Sequence, residues 1–211
     1  MLMKNYIFDF DGTLINSRKI MFSAFNDVAN YMCFPNKIKN LSKDTEFTYP
    51  EKLISDIYKK YHLNNFSLDD CLKNYRAYLK KYENFKMTFY NVDFVLHQLQ
   101  VNDKRLFIIS DRRTAELEHL LNVNDIKCYF IEYLGRDIYG LKANGNSLNY
   151  LIKKYNLDPC DTLYIGDKVS DFEFAKFNQL SFAYASYSQE PFLCRDNDYY
   201  TLTKVVDVLE I

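Results

Sequence analysis

Tryptophan is missing from this chain, and glycine and proline are sparse, at five and four among 211 residues. There is no internal repeat and no segment of biased composition, which excludes repeat arrays and low-complexity tails. The five cysteines (Cys33, Cys71, Cys128, Cys160, Cys194) are odd in number and never form a C-x-x-C pair. That spacing excludes a zinc framework or disulfide scaffold and leaves them to be read as small buried hydrophobes. His62, His97 and His119 stand at no metal-ligand spacing. No apolar run approaches the roughly 18 to 20 residues that cross a bilayer, and the N-terminus lacks a signal-peptide pattern. A cytoplasmic protein with no membrane partner is the expectation. The formal net charge of −1 gives no electrostatic reason to expect a nucleic-acid partner.

What is present is apolar bulk: 48% hydrophobic residues, with 19 Tyr and 17 Phe supplying most of the large side chains. That is enough for a sizeable core in one domain or one domain with an insertion. After a short apolar strand over residues 5–10 the period becomes helical. One stripe runs through Ile20, Ala24, Phe25, Val28 and Met32, a second through Leu53, Ile54, Ile57 and Tyr61, and a third through Leu68, Cys71, Leu72, Tyr75 and Leu79. Strand and helix patterns then alternate: strands at 105–110, 127–133, 162–166 and 180–186, and helices around 113–122, from 147 to 155, near 170–177 and from about Leu202. The expected fold is α/β, a Rossmann-like parallel sheet with helices on both faces and an inserted α-helical unit. The core is expected over residues 1–15 and 86–211 and the insertion over 16–85.

In such sheets the site lies at the carboxyl ends of the strands. The first ends in Asp9-Phe10-Asp11-Gly12-Thr13, where two carboxylates one residue apart should repel unless something cationic stands by. An EF-hand alignment would put Ile7 at the first ligand and Arg18 at the bidentate glutamate, which excludes it. The second strand ends in Ser110. Beyond the third, Gly135 and Gly140 have P-loop spacing, but Lys142 arrives one residue late and Ala143 follows it, so a Walker-type nucleotide site is not expected. The fourth strand ends in Gly166-Asp167, with Asp171 at i+4; either aspartate could simply serve the start of the next helix. Taken together, strand-end carboxylates with one lysine and one hydroxyl suit a Mg²⁺ and phosphate site. Oxygen ligands hold the metal, and Lys and Ser hold the anion.

FDFDGTL, the strand ending in Ser110, Lys142 and GDKVSD resemble, in order and spacing, the four motifs of the haloacid dehalogenase superfamily of phosphohydrolases. The helical insertion resembles the cap of its phosphoglycolate phosphatase-like subfamily. The resemblance implies that Asp9 is the nucleophile forming an aspartyl-phosphate, and that Asp11 is the acid and then the base. It implies that Asp9, the Asp11 carbonyl and Asp167 coordinate Mg²⁺, with Asp171 and Thr13 in support, and that Ser110 and Lys142 bind the phosphoryl group of a small phosphorylated substrate. Ala143 stands where relatives commonly have proline, and Ser110 is followed by Asp111-Arg112-Arg113 in place of a small polar or proline-containing turn. A phosphomutase or a non-catalytic phosphate-binding relative are the alternatives. Retention of Asp11 disfavours a dehalogenase. Neither substrate nor oligomeric state follows from the sequence.

Overall fold

The structure is a computed structural model that describes residues 3–32, 50–61, 66–190, 192, 194 and 198–211. Cys33, His62 and most of the segment 40–52, with Lys43 and Tyr49, lie outside the described residues, as do the side chains of Leu53 and Tyr61. The chain divides into two compact units, one formed by the residues up to Asn16 together with Lys86–Ile211, the other by Ser17–Phe85.

The smaller unit consists of α1 (Ser17–Tyr31), α2 (Pro50–Tyr61) and α3 (Leu68–Tyr82). Their apolar stripes meet: Ala24, Phe25, Val28 and Met32 of the first segment pack with Ile54 and Ile57 of the second and Cys71 and Tyr75 of the third. Ser67 opens α3 with a capping box, its side chain accepting from the Asp70 N–H while the Asp70 carboxylate accepts from the Ser67 N–H.

The larger unit is built on six parallel strands, β1 (Asn5–Phe8), β2 (Arg105–Ile109), β3 (Glu132–Leu134), β4 (Thr162–Gly166), β5 (Ser181–Ala185) and β6 (Tyr200–Leu202), in the order β3-β2-β1-β4-β5-β6. Helices α4 (Val92–Val101), α5 (Thr114–Val123), α6 (Arg136–Tyr139), α7 (Asn146–Tyr155) and α8 (Val169–Phe177) complete it. β1 and β4 are buried along their whole length, which is why Tyr6-Ile7-Phe8 and Leu163-Tyr164-Ile165 read as continuous apolar runs. Ile7, Phe107, Ile109 and Tyr164 share one layer with Leu148, Leu151 and Phe172, while Phe8 meets Phe130 edge-on. At the strands' starting ends Asn5 is buried but satisfied, donating to Asp161 and Thr162 and accepting from Arg105.

The differences from the sequence reading lie at edges. The strand expected over 127–133 is a 3₁₀ turn at Lys127–Tyr129 followed by only three strand residues. As an edge strand it pairs on one side alone, with Phe107–Ile109. α4 was not expected, yet Val92, Val95, Leu96 and Leu99 are its buried face, an i, i+3, i+4, i+7 pattern. The helix expected from Leu202 is instead β6 and a 3₁₀ helix at Val205–Glu210. There the Asp207 carboxylate accepts the N–H groups of Thr203 and Lys204, and Val205 and Val208 are the buried pair, at the spacing of three that a 3₁₀ turn aligns. Of the cysteines read as buried hydrophobes, Cys71 is buried but Cys128 and Cys160 are exposed. No helix among the described residues is long and apolar enough to cross a membrane.

The strand order places β2 on one side of β1 and β4 on the other. The chain therefore reverses its winding at β1, and in open parallel sheets the crevice forms at the carboxyl ends of the strands at such a reversal. β1 and β4 deliver Asp9 and Asp167 there.

Candidate active site

Beyond Phe8 the chain leaves the sheet in a tight turn. Asp9 still donates its N–H to the Ile165 carbonyl at 2.8 Å, and the N–H groups of Leu14 and Ile15 then fold back onto the Phe10 carbonyl, each at 3.0 Å. Gly12 adopts φ +82°, and a Cβ at this position would collide with the Asp167 carboxylate. Only glycine meets both demands without strain.

The Lys142 ammonium lies 2.7 Å from Asp9 Oδ1 and 2.7 Å from Asp171 Oδ1. The other Asp171 oxygen accepts the N–H groups of Asp167 at 3.2 Å and Lys168 at 3.1 Å. Asp171 thus occupies the first turn of α8, whose N-cap is Lys168 and not Asp167, and joins that helix start to the lysine. Tyr164, fully buried on β4, points its hydroxyl at Asp171. Ligand oxygens of Asp9, Asp167 and Asp171 lie within 4.8 Å of one another, and Asp167 Oδ1 is buried with no hydrogen-bond partner. An all-carboxylate donor set with an orphaned oxygen, packed against a glycine turn, fits a hard divalent cation such as Mg²⁺.

The electrostatics point the same way. Burial pushes the Asp9 carboxyl up to about 6, against the pull of Lys142 and with the push of Asp171. Burial, then the charge of Asp9, raises Asp167 to about 8. Burial works against the charge on Lys142, but Asp171 and Asp9 more than offset it and hold the lysine firmly protonated. Burial and mutual repulsion thus disfavour the charged forms of Asp9 and Asp167 despite Lys142 and Lys168, and a bound cation would act against both effects.

Asp11 has a different partner. Arg112 grips it with both arms of its guanidinium, Nε to Oδ2 at 2.7 Å and Nη2 to Oδ1 at 2.9 Å. Burial opposes ionisation of Asp11, yet Arg112 outweighs it and lowers its pKa. The cation beside Asp9 is Lys142, and the cation beside Asp11 is Arg112. β1 ends at Phe8, and in the turn beyond it the Asp11 carboxylate meets Arg112 of the loop after β2. The Asp11 carboxylate does not belong to the Asp9, Asp167 and Asp171 cluster. Ser110 is buried at the end of β2, and its Oγ accepts the Arg112 N–H at 3.2 Å. Asp111 accepts the Lys142 N–H at 3.0 Å. Thr13 is buried with no partner for its hydroxyl, and its carbonyl accepts from the Tyr187 hydroxyl at 2.8 Å.

Sequence reasoning missed Arg112, Tyr164 and Tyr187. Arg112 was visible only as a departure from a motif, and no spacing rule ties it to a residue about a hundred positions earlier. Tyr164 read as one more apolar strand residue.

The sequence model for haloacid dehalogenase-like hydrolases matches residues 6–185. The chain belongs to this family. Among curated relatives of this hydrolase is the phosphoglycolate phosphatase of Vibrio vulnificus (strain CMCP6), 24% identical over 181 residues that cover 82% of this chain and 79% of that protein. A Clostridium perfringens (strain 13 / Type A) relative carrying a pyrophosphatase name is 22% identical over 172 residues, covering 81% and 78%. Among solved structures, the Bacillus subtilis protein YfnB, described as a HAD-hydrolase bound to magnesium, superposes with a TM-score of 0.79 at 16% identity, covering 100% of this chain and 98% of that one. The chain is a haloacid dehalogenase-like hydrolase, similar in sequence to a phosphoglycolate phosphatase.

Proposed function

We propose that this hydrolase is a Mg²⁺-dependent phosphatase and hydrolyses a small phosphorylated metabolite through a phosphoryl group carried on Asp9. The observation that carries the reading is the buried cluster of Asp9, Asp167 and Asp171 around the Lys142 ammonium, with Asp167 Oδ1 unpartnered. Asp9, Asp167 and the Asp11 carbonyl would hold Mg²⁺, with Asp171 in support, and the ion when bound supplies positive charge to the transferring phosphoryl oxygens.

In the first step an Asp9 carboxylate oxygen attacks phosphorus, the bond from phosphorus to the ester oxygen breaks, and the departing oxygen takes a proton from Asp11, which enters this step protonated although its pair with Arg112 favours the carboxylate in the resting protein. In the second, water attacks the same phosphorus and gives its proton to the Asp11 carboxylate. Asp9 leaves as a carboxylate, with inorganic phosphate and an alcohol as products. Lys142 holds Asp9 in place and contributes charge to the phosphoryl oxygens, the dominant requirement in phosphoryl transfer. Ser110 offers its hydroxyl hydrogen to the same oxygens while accepting from Arg112. The Ser17–Phe85 unit is proposed to act as the cap that selects the leaving group.

The test is turnover of a panel of phosphorylated metabolites by purified protein with Mg²⁺ or with EDTA, reading inorganic phosphate. Phosphate release that needs Mg²⁺ and disappears in Asp9→Asn supports the reading. Full activity after thorough chelation, or in Asp9→Asn, overturns it.

A further inference from the structure

The loop between β2 and α5 does more than connect. The Arg112 N–H is held by Ser110 Oγ, and its carbonyl accepts the Arg136 N–H at 2.9 Å. Gly135 presses so closely on this loop that a Cβ there would meet the backbone N of Thr114 and, at 2.8 Å, the Arg112 carbonyl oxygen. With its backbone fixed on both sides, Arg112, its side chain only 21% exposed, directs its guanidinium onto the carboxylate of Asp11, whose side chain is 26% exposed, through two bonds. A long surface arginine meeting an aspartate by chance has none of this support, and a single exposed ion pair is worth little. A two-point arginine-carboxylate contact also fixes the plane of the carboxylate, which one ammonium cannot do. The same loop reaches the other half of the site, since Asp111 accepts the Lys142 N–H.

We propose that Arg112 is the positioning residue for Asp11: its fork sets the orientation in which the Asp11 carboxylate meets the leaving oxygen and then the attacking water. The inference rests on the Asp11 role given above, and goes beyond it in assigning a function to a residue outside the four motifs. Arg112 acts through Asp11 and not on the phosphoryl group. The two therefore behave as one unit, and units of this kind are strongly non-additive when dismantled.

The experiment is a double-mutant cycle in kcat on an alkyl phosphate and on an aryl phosphate, with Arg112→Leu, Asp11→Asn and the double variant. Arg112→Leu is expected to lower kcat on the alkyl substrate about ten- to a hundredfold, within the range an acid or base contributes. The loss on the aryl substrate should be smaller and KM little changed. The double variant should be no slower than Asp11→Asn alone. Arg112→Lys, which keeps the charge but not the fork, should recover only a minor part of the loss, and it serves as the test variant if Arg112→Leu does not fold. Equal fractional losses from removing Arg112 with and without Asp11 would overturn the proposal, as would full rescue by lysine. If Asp11→Asn itself leaves kcat unchanged on both substrates, the Asp11 role has failed and Arg112 has nothing to position.

Discussion

Lys142 Nζ stands 2.7 Å from Asp9 Oδ1, with the lysine side chain 13% exposed and the aspartate side chain 6% exposed. The contact joins the turn after β1 to a 3₁₀ turn more than a hundred residues away, and the Asp171 oxygen at the same distance makes it a three-way junction.

Lys142→Met is accordingly expected to damage both activity and stability. Loss of a preorganised charge at the transferring group lowers kcat by roughly 10² to 10³. Breaking a buried pair costs about 3 to 5 kcal/mol, a ceiling here, because Asp9 with its pKa near 6 escapes part of the penalty by taking up a proton. Steady-state kinetics and denaturant unfolding measure the two effects. A variant with wild-type kcat would remove Lys142 from the site's chemistry.

The pH dependence of stability follows from Asp9 and Asp167, whose pKa values are raised to about 6 and about 8. Between about pH 4 and those values the folded protein binds protons that the unfolded chain has released, so in EDTA stability falls as pH rises through this window. Each such proton contributes a slope of at most about 1.4 kcal/mol per pH unit. Mg²⁺ should raise the melting temperature more at pH 8 than at pH 6, since at pH 6 it competes with protons. Asp167→Asn should flatten the slope in EDTA and remove most of the Mg²⁺ shift. Equal Mg²⁺ shifts at both pH values would contradict the protonated resting site.

Asp9 and Asp11 should fail differently. Asp11→Asn retains the nucleophile, so with an activated aryl phosphate the first step proceeds while the second lacks its base. A burst of released phenol, and a peptide containing Asp9 that is heavier by one HPO₃ unit, are the expected readouts. A uniform slowing of all leaving groups, with neither burst nor adduct, would leave Asp11 only an electrostatic role.

Gly12→Ala should be costly for its size. The backbone penalty at φ +82° is of order 1 kcal/mol, and the added methyl also displaces the Asp167 carboxylate. Mg²⁺ titration followed by melting temperature should show weakened binding even where the variant folds. Unchanged Mg²⁺ binding would mean that the turn yields more easily than its packing suggests.

Much of this protein was determined locally. β1 and β4 are buried on both faces, so their apolar runs had no alternative reading, and the stripes of α1 to α3 and of α7 follow from a single helical period. Asp9, Lys142, Asp167 and Asp171 stood out because a parallel sheet has one functional edge, and each follows a strand that reaches it. The edges of the sheet were harder, since β3 and β6 pair along one side only and three residues carry too little alternation to announce themselves. Which cation answers which carboxylate was beyond the sequence altogether. Asp9 and Asp11 are separated by a single residue, yet one turns to Lys142 and the other to Arg112, because β1 ends at Phe8 and both aspartates already lie in the turn that Gly12 continues at positive φ. Arg112 itself reaches Asp11 only once β2 has paired beside β1. Register decides that contact, and register belongs to the sheet, not to any stretch of the chain.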